Sequence, residues 1–244
     1  MIVRHDELPS TNDEALRLAA EGADAFTVVA ADTQSAGRGR NGRAWRSPSG
    51  VGLYASMVLR PNLAVGELPL LTLLAGVAAA EAIRAATGLP AGLKWPNDVL
   101  VRGHKVAGIL CEASLGAGGD GGAVVVAGLG VNVNTLPQDL PERPLYPASS
   151  LAAESGRLHD RDALLETWIA RSRHWMATLK ADGAAPLVAR WNELDALAGL
   201  PVSIAGAGGA VVAGIGRGVD AAGALRVETD DAIARVVVGD VACR

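Results

Sequence analysis

The stretch Gln34-Ser35-Ala36-Gly37-Arg38-Gly39-Arg40-Asn41-Gly42-Arg43-Ala44-Trp45 decides how the chain folds. Its segment Gly37-Arg38-Gly39-Arg40-Asn41-Gly42 has the G-x-G-x-x-G spelling of a dinucleotide-binding turn, but that motif holds a pyrophosphate only where it opens a helix. Here Ser47-Pro48-Ser49-Gly50 turns the chain instead. Val51, Leu53, Ala55, Met57 and Leu59 then alternate with Gly52, Tyr54, Ser56 and Val58, the period of a strand. A dinucleotide fold is therefore not expected. With Arg46 the loop carries four arginines in nine residues, where even spacing would put fewer than one. Glycine-hinged backbone loaded with fixed positive charge suits a lid that closes over an anion, mobile when empty and ordered when filled.

The remaining composition is that of an ordinary globular chain of 244 residues, 50% hydrophobic and 20% charged, long enough for one full core and a small satellite domain. A net charge of −4 argues against nucleic acid as the main partner. Cys111 and Cys243 lie far apart in sequence and are read as buried thiols of a reducing compartment. The N-terminus carries charges where a signal peptide needs an apolar core. The most apolar helix candidate, 68–86, is interrupted by Thr72, Glu81 and Arg84. No membrane association and a cytoplasmic location are expected. Lysine is scarce: only Lys94, Lys105 and Lys180. Two of them fall within one hairpin, either by chance placement or because a compact ammonium is wanted there.

Outward from the loop, residues 1–5 read as a short strand. A helix begins at Thr11, which with Glu14 has capping-box spacing, and ends at Gly22. Residues 26–31 form a buried strand leading into the loop. Beyond Leu59, residues 68–87 form a helix apolar nearly all round, closed by Gly88 and buried across a sheet. Strands follow at 92–95, 98–101, 105–113 and 123–133, turned by Arg102-Gly103 and by the glycine-rich 116–122, which lacks the ending of a phosphate loop. Four prolines between 137 and 147 mark an irregular crossing, and helices near 161–181 and 184–197 close the main domain. Past Gly199-Leu200-Pro201, short strands at 201–204, 210–216, 223–228 and 233–238 suggest a small antiparallel barrel. The domains expected are 1–197 and 198–244.

Two further clusters carry chemistry. In Lys94-Trp95-Pro96-Asn97-Asp98, Pro96 is barred from a central ladder position, so the segment is a corner that gathers Lys94, Asn97 and Asp98. The antiparallel return brings Lys105 back to the same end. Cations beside a carboxylate suit a phosphate and a magnesium ion; a surface ion pair beside a proline turn is the plainer reading. Gly128-Leu129-Gly130-Val131-Asn132 ends an apolar strand; Asn132 either reads a purine edge or ties two strands together.

With Ser10-Thr11-Asn12, Gln34 and Lys105-Val106-Ala107-Gly108-Ile109-Leu110, these segments occur in the order and at the spacing of the biotin protein ligases, and over residues 1–195 the chain resembles that family. The resemblance implies an α+β fold: a class II aminoacyl-tRNA synthetase/biotin ligase-like catalytic domain, with helices packed on a mixed sheet, and a small C-terminal SH3-like β-barrel. It also implies an ATP-dependent ligase. Biotin's carboxylate attacks the α-phosphate of ATP, giving biotinyl-5′-AMP and pyrophosphate. A lysine of a biotin carboxyl carrier domain of a biotin-dependent carboxylase then takes the biotinyl group.

By the same resemblance Ser10, Thr11, Asn12 and Gln34 surround the ureido head of biotin, and Gly37, Arg38, Gly39 and Arg40 complete that pocket. Lys105 lies beside the biotin carboxylate and α-phosphate, and with Arg40 forms the catalytic pair. Arg38, Arg40, Trp45, Lys94, Asn97, Lys105 and Asn132 serve ATP and the adenylate, with Trp45 and Asn132 toward adenine, and Asp98 ligates Mg2+. Asn41 departs from the family's pattern, standing where many members carry a basic residue. Members often pair through a sheet edge, so a homodimer is one assembly the resemblance allows. A winged-helix domain precedes this region in some members; here the first strand begins near Met1, and a repressor role is not expected. The rival is a lipoate ligase or octanoyltransferase of the same fold. A nucleic-acid binder is disfavoured by the acidic balance and by eight aromatics with no basic interleaving.

Overall fold

The computed structural model describes residues 1–116, 122–141, 146–205 and 211–243. A mixed seven-stranded sheet carries the first half of the chain, in the order β1-β2-β3-β7-β6-β5-β4. Its strands are β1 (Ile2–Leu8), β2 (Val28–Gln34), β3 (Leu53–Leu59), β4 (Ala91–Lys94), β5 (Asp98–Val101), β6 (His104–Ser114) and β7 (Val124–Val131). Among the described strands only β1 and β2 pair in parallel, because α1 (Thr11–Ala20) carries the chain back between them. The α1 cap sits one residue earlier than its sequence spacing suggests: the Ser10 hydroxyl accepts from the Asp13 amide, so Thr11 is already helical.

β3 alternates as expected, yet all seven of its residues are buried. Leu53, Ala55, Met57 and Leu59 enter the main core on one side, while Val58 joins Ala15, Ala19, Val29, Val124 and Val126 beneath α1 on the other. α2 (Pro69–Thr87) crosses the main-core face of β4–β7 and is itself covered by α4 (Arg161–Asp182) and α5 (Ala185–Glu193). This helix is long and apolar enough to cross a membrane, but most of it is buried inside the fold. Pro69 starts it at a position where no amide partner is lost, and Gly88 (φ +76°) stops it in the left-handed conformation.

Two helices differ from expectation. The helix α5 stops at Glu193, because Leu93 donates to the Leu194 carbonyl and accepts from the Ala196 amide; the chain leaves the helix to cover the free edge of β4. The irregular crossing is followed by a short helix, α3 (Leu151–Ser155), capped by Ser150. Most of the glycine-rich turn between β6 and β7 lies outside the described residues.

The C-terminal region forms a second, antiparallel sheet ordered β11-β10-β9-β8-β12, the small β domain. It comprises β8 (Pro201–Ala205), β9 (Val211–Val219), β10 (Leu225–Glu228), β11 (Ile233–Val236) and β12 (Asp240–Cys243). The fifth strand, β12, was not foreseen: it is four residues long and begins with an aspartate. It pairs with β8. The two sheets are joined tightly. Trp95 Nε1 donates to the Gly223 carbonyl, and the Asn192 side chain both donates to and accepts from the backbone of Val219.

Candidate functional site

Residues from eight separate segments of the chain line a cavity of about 400 Å3 between the arginine loop, the β4–β5 corner and the start of β12. Its floor is glycine. A Cβ on Gly128 would stand 2.2 Å from Asn12 Oδ1, and one on Gly130 would stand 2.5 Å from the Trp45 ring. Gly108, opposite Gly130 in the ladder, would meet the same ring at 3.1 Å. The strand glycines thus let two of the chain's own side chains lie flat on the sheet.

One end of the cavity is a network of neutral polar groups at the start of α1. Gln34 Oε1 accepts from the Thr11 amide (2.9 Å) and lies 3.1 Å from Thr11 Oγ1, while Gln34 Nε2 donates to Ser47 Oγ (3.0 Å). Ser56 Oγ donates to Asn12 Oδ1 (2.5 Å) and lies 2.8 Å from Thr11 Oγ1. Asn12 Nδ2 donates to Glu112 Oε2 (2.6 Å) and to the Leu110 carbonyl. The two amides are therefore held in fixed orientation, Gln34 by Thr11 on α1 and Ser47, Asn12 by partners on β3 and β6.

The other end is charged. Lys94 Nζ lies 3.3 Å from Asp98 Oδ2, and Lys105 Nζ binds Asp98 Oδ1. Both lysines are buried, at 6% and 9% exposure. Each ammonium also faces an aromatic ring, Lys94 that of Tyr146 (4.5 Å) and Lys105 that of Trp45 (5.6 Å). Burial works to raise the Asp98 pKa, but the charges and hydrogen bonds of Lys105 and Lys94 outweigh it and hold the carboxyl below its ordinary range. Both oxygens are engaged by ammonium groups, so in this structure Asp98 serves as the counter-ion of the two lysines. No group of three or more His, Cys, Asp or Glu side chains suited to a metal occurs among the described residues.

The arginine loop folds back on itself as a small hairpin, with Arg38 bridged to Ala44, Gly39 N to Arg43 O and Trp45 N to Gly37 O. Gly37 does not reach the cavity. A Cβ there would stand 2.6 Å from the Trp45 carbonyl, so only glycine closes the root of the loop. Asn41 takes φ +57°, a conformation asparagine tolerates better than most residues, which accounts for its presence at the tip. Arg38 grips Asp13 through two hydrogen bonds (2.7 and 2.5 Å) and approaches Glu112. The Arg38 bond lowers the Asp13 pKa and raises that of Arg38.

Ser10, Thr11, Asn12, Gln34, Arg38, Gly39, Arg40, Trp45, Lys94, Asn97, Asp98 and Lys105 all line this one cavity. Asn132 does not. It lines a much smaller adjoining hollow with Trp45, Lys105 and Thr135, and its Nδ2 donates to the Ser149 carbonyl (3.0 Å), tying the end of β7 to the segment before α3. Ser56, Glu112, Tyr146, Arg43 and Asp240 belong to the site and were missed. Ser56 was the one legible signal, a small hydroxyl within a strand whose seven residues are all buried.

A pocket with a fixed neutral amide end and a cationic end suits a ligand that presents a hydrogen-bonding head and an anion. Residues 6–132 match the model of the biotin/lipoate A/B protein ligase family. The chain belongs to that family. A biotin–(acetyl-CoA-carboxylase) ligase of Paracoccus denitrificans is 39% identical over 228 residues, covering 92% of each chain. The bifunctional ligase/repressor BirA of Bacillus subtilis is 34% identical over 240 residues, 98% of this chain and 73% of that one. The solved biotin protein ligase of Aquifex aeolicus in complex with biotin and ATP superposes with a TM-score of 0.84 at 30% identity, over 100% of this chain and 98% of the other. The family's polar and cationic motifs thus converge on one cavity here.

Proposed function

We propose that this chain is a biotin–protein ligase: it activates biotin with ATP as biotinyl-5′-AMP and transfers the biotinyl group to a lysine of a biotin carboxyl carrier domain. One observation carries this. Two buried lysines on one carboxylate stand at the far end of a cavity whose near end is the oriented Thr11–Gln34–Ser56–Asn12 network. The identity with ligases named for biotin and the acetyl-CoA-carboxylase acceptor supports the choice of substrates.

A ureido group offers two N–H donors and one carbonyl acceptor, which the hydroxyls and amides of Ser10, Thr11, Asn12 and Gln34 complement. The carboxylate then points to the lysine end. In the first step a carboxylate oxygen bonds to the α-phosphorus and the bond to pyrophosphate breaks. Both reactants are anions, so Lys105, Lys94 and Arg40 must offset their repulsion and the charge that builds on the phosphoryl oxygens. Magnesium enters with the nucleotide phosphates as part of the substrate. In the second step the acceptor's ε-amine attacks the acyl carbon and AMP leaves with its bonding electrons, while the amine's proton passes to solvent. No nucleophile of this chain is needed.

Trp45 over the glycine floor is assigned to the adenine ring, with Asn132 buttressing that side from the strand end. A division at residues 1–197 and 198–244, a cytoplasmic location and pairing of two copies through a sheet edge remain parts of the same proposal. Pyrophosphate release separates biotin from its rival. Release that requires biotin and is indifferent to lipoate supports the assignment; release with lipoate alone overturns it.

A further inference from the structure

Asp240 and Val241 open the last strand of the C-terminal sheet and line the cavity, although nearly 200 residues separate them from the arginine loop. Asp240 Oδ2 pairs with Arg43, and Arg40 Nη1 lies 3.7 Å from Asp240 Oδ1, 3.5 Å from the Gly239 carbonyl and 3.4 Å from Asn97 Oδ1. The backbone bonds of Gly39, Arg43 and Trp45 stay within the loop. Beyond its root, the loop is therefore tied to the rest of the fold chiefly by side chains. Arg38 fastens the near limb to Asp13 on α1; Arg40 and Arg43 fasten the tip to β12.

An exposed ion pair contributes little to folding, and Arg43 and Asp240 are 54% and 39% exposed. The use of this pair lies in where it holds the loop. A ligase of this kind needs a closed state: an acyl adenylate must be kept from water and from escape until the acceptor lysine arrives. We propose that Asp240 is a positioning residue, a latch by which the C-terminal sheet holds the tip of the arginine loop over the cavity and lengthens the residence of the anionic intermediate. This rests on the ligase assignment for its purpose, though not for its geometry.

Two measurements test it, one of them without ligand. Hydrogen exchange of the free chain reads the latch directly. Asp240→Asn is expected to speed exchange of the loop amides across 37–45 at least fivefold and to leave β2 unchanged, whereas Asp240→Glu stays near wild type. In the second, preformed biotinyl-5′-AMP is chased from the protein by excess unlabelled adenylate. Asp240→Asn and Arg43→Glu are each expected to shorten its half-time at least fivefold. The exchanged pair Asp240→Arg with Arg43→Asp is expected to recover most of it. Unchanged loop exchange and unchanged residence in Asp240→Asn would overturn the latch. Faster loop exchange in a chain that binds no adenylate would leave the latch standing and overturn the ligase assignment instead.

Discussion

At the residue scale the site turns on Asp98 and its two lysines. Lys105→Ala removes the ammonium we assign to the reacting groups but leaves Asp98 its bond to Lys94, so the fold should survive. The loss of one preorganised donor should slow adenylate formation on the order of 10²–10³-fold. Near-normal pyrophosphate release from a folded Lys105→Ala protein would contradict the assignment. Asp98→Asn is the harsher change, because it removes the carboxylate that two buried cations share. It should destabilise the chain by about 3–5 kcal/mol, read from urea unfolding. The pH dependence has a definite sign. A carboxyl held below its ordinary range stabilises the native state fully above that range and loses the contribution as pH falls through its native value. Wild type should therefore lose stability on the acid side, and the difference from Asp98→Asn should shrink there. The lysines and Asp98 were legible because proline at 96 forces a corner. Their mutual engagement was not, since no spacing rule tells a metal ligand from a counter-ion.

At the scale of elements, β7 and the arginine loop depend on each other. Gly128 and Gly130 admit Asn12 and Trp45 at distances no side chain would allow. Gly130→Ala should push the indole off the floor. An ångström of misplacement is costly at such sites, so KM for ATP should rise about tenfold or more while KM for biotin, set mainly by the amide end, changes less. Equal effects on both would refute the assignment of Trp45 to adenine. The sequence revealed that the loop joins two strands, because the alternation after Ser47-Pro48-Ser49-Gly50 cannot be a helix. It did not reveal what the glycines face, since that partner comes from another part of the chain. Nor did it mark the end of α5, where a sheet edge outcompetes helical propensity.

At the scale of the whole molecule, the seam between the two sheets contains an uncompensated acid. Asp195 accepts from the Leu197 amide through Oδ1, but its buried Oδ2 has no partner among the described residues. Burial lifts its pKa from 3.8 to about 6, against the lowering effect of that amide bond. The native state is therefore most favoured by this group below about pH 3.8, and loses that advantage as pH rises through 6. At pH 8 the ionised group costs on the order of 2–3 kcal/mol. Asp195→Asn should accordingly stabilise the chain at pH 8 and do little at pH 4; an equal gain at both would exclude ionisation as the cause. The small second domain was legible from its glycine- and aspartate-rich turns, but β12 was not, and with it the sequence concealed how that domain reaches the site. The account stands or falls on the reaction itself. With ATP present, titrating biotin should release pyrophosphate and leave a tightly held acyl adenylate that then labels a single lysine of a carrier domain. A chain that binds ATP yet releases no pyrophosphate on addition of biotin would contradict it.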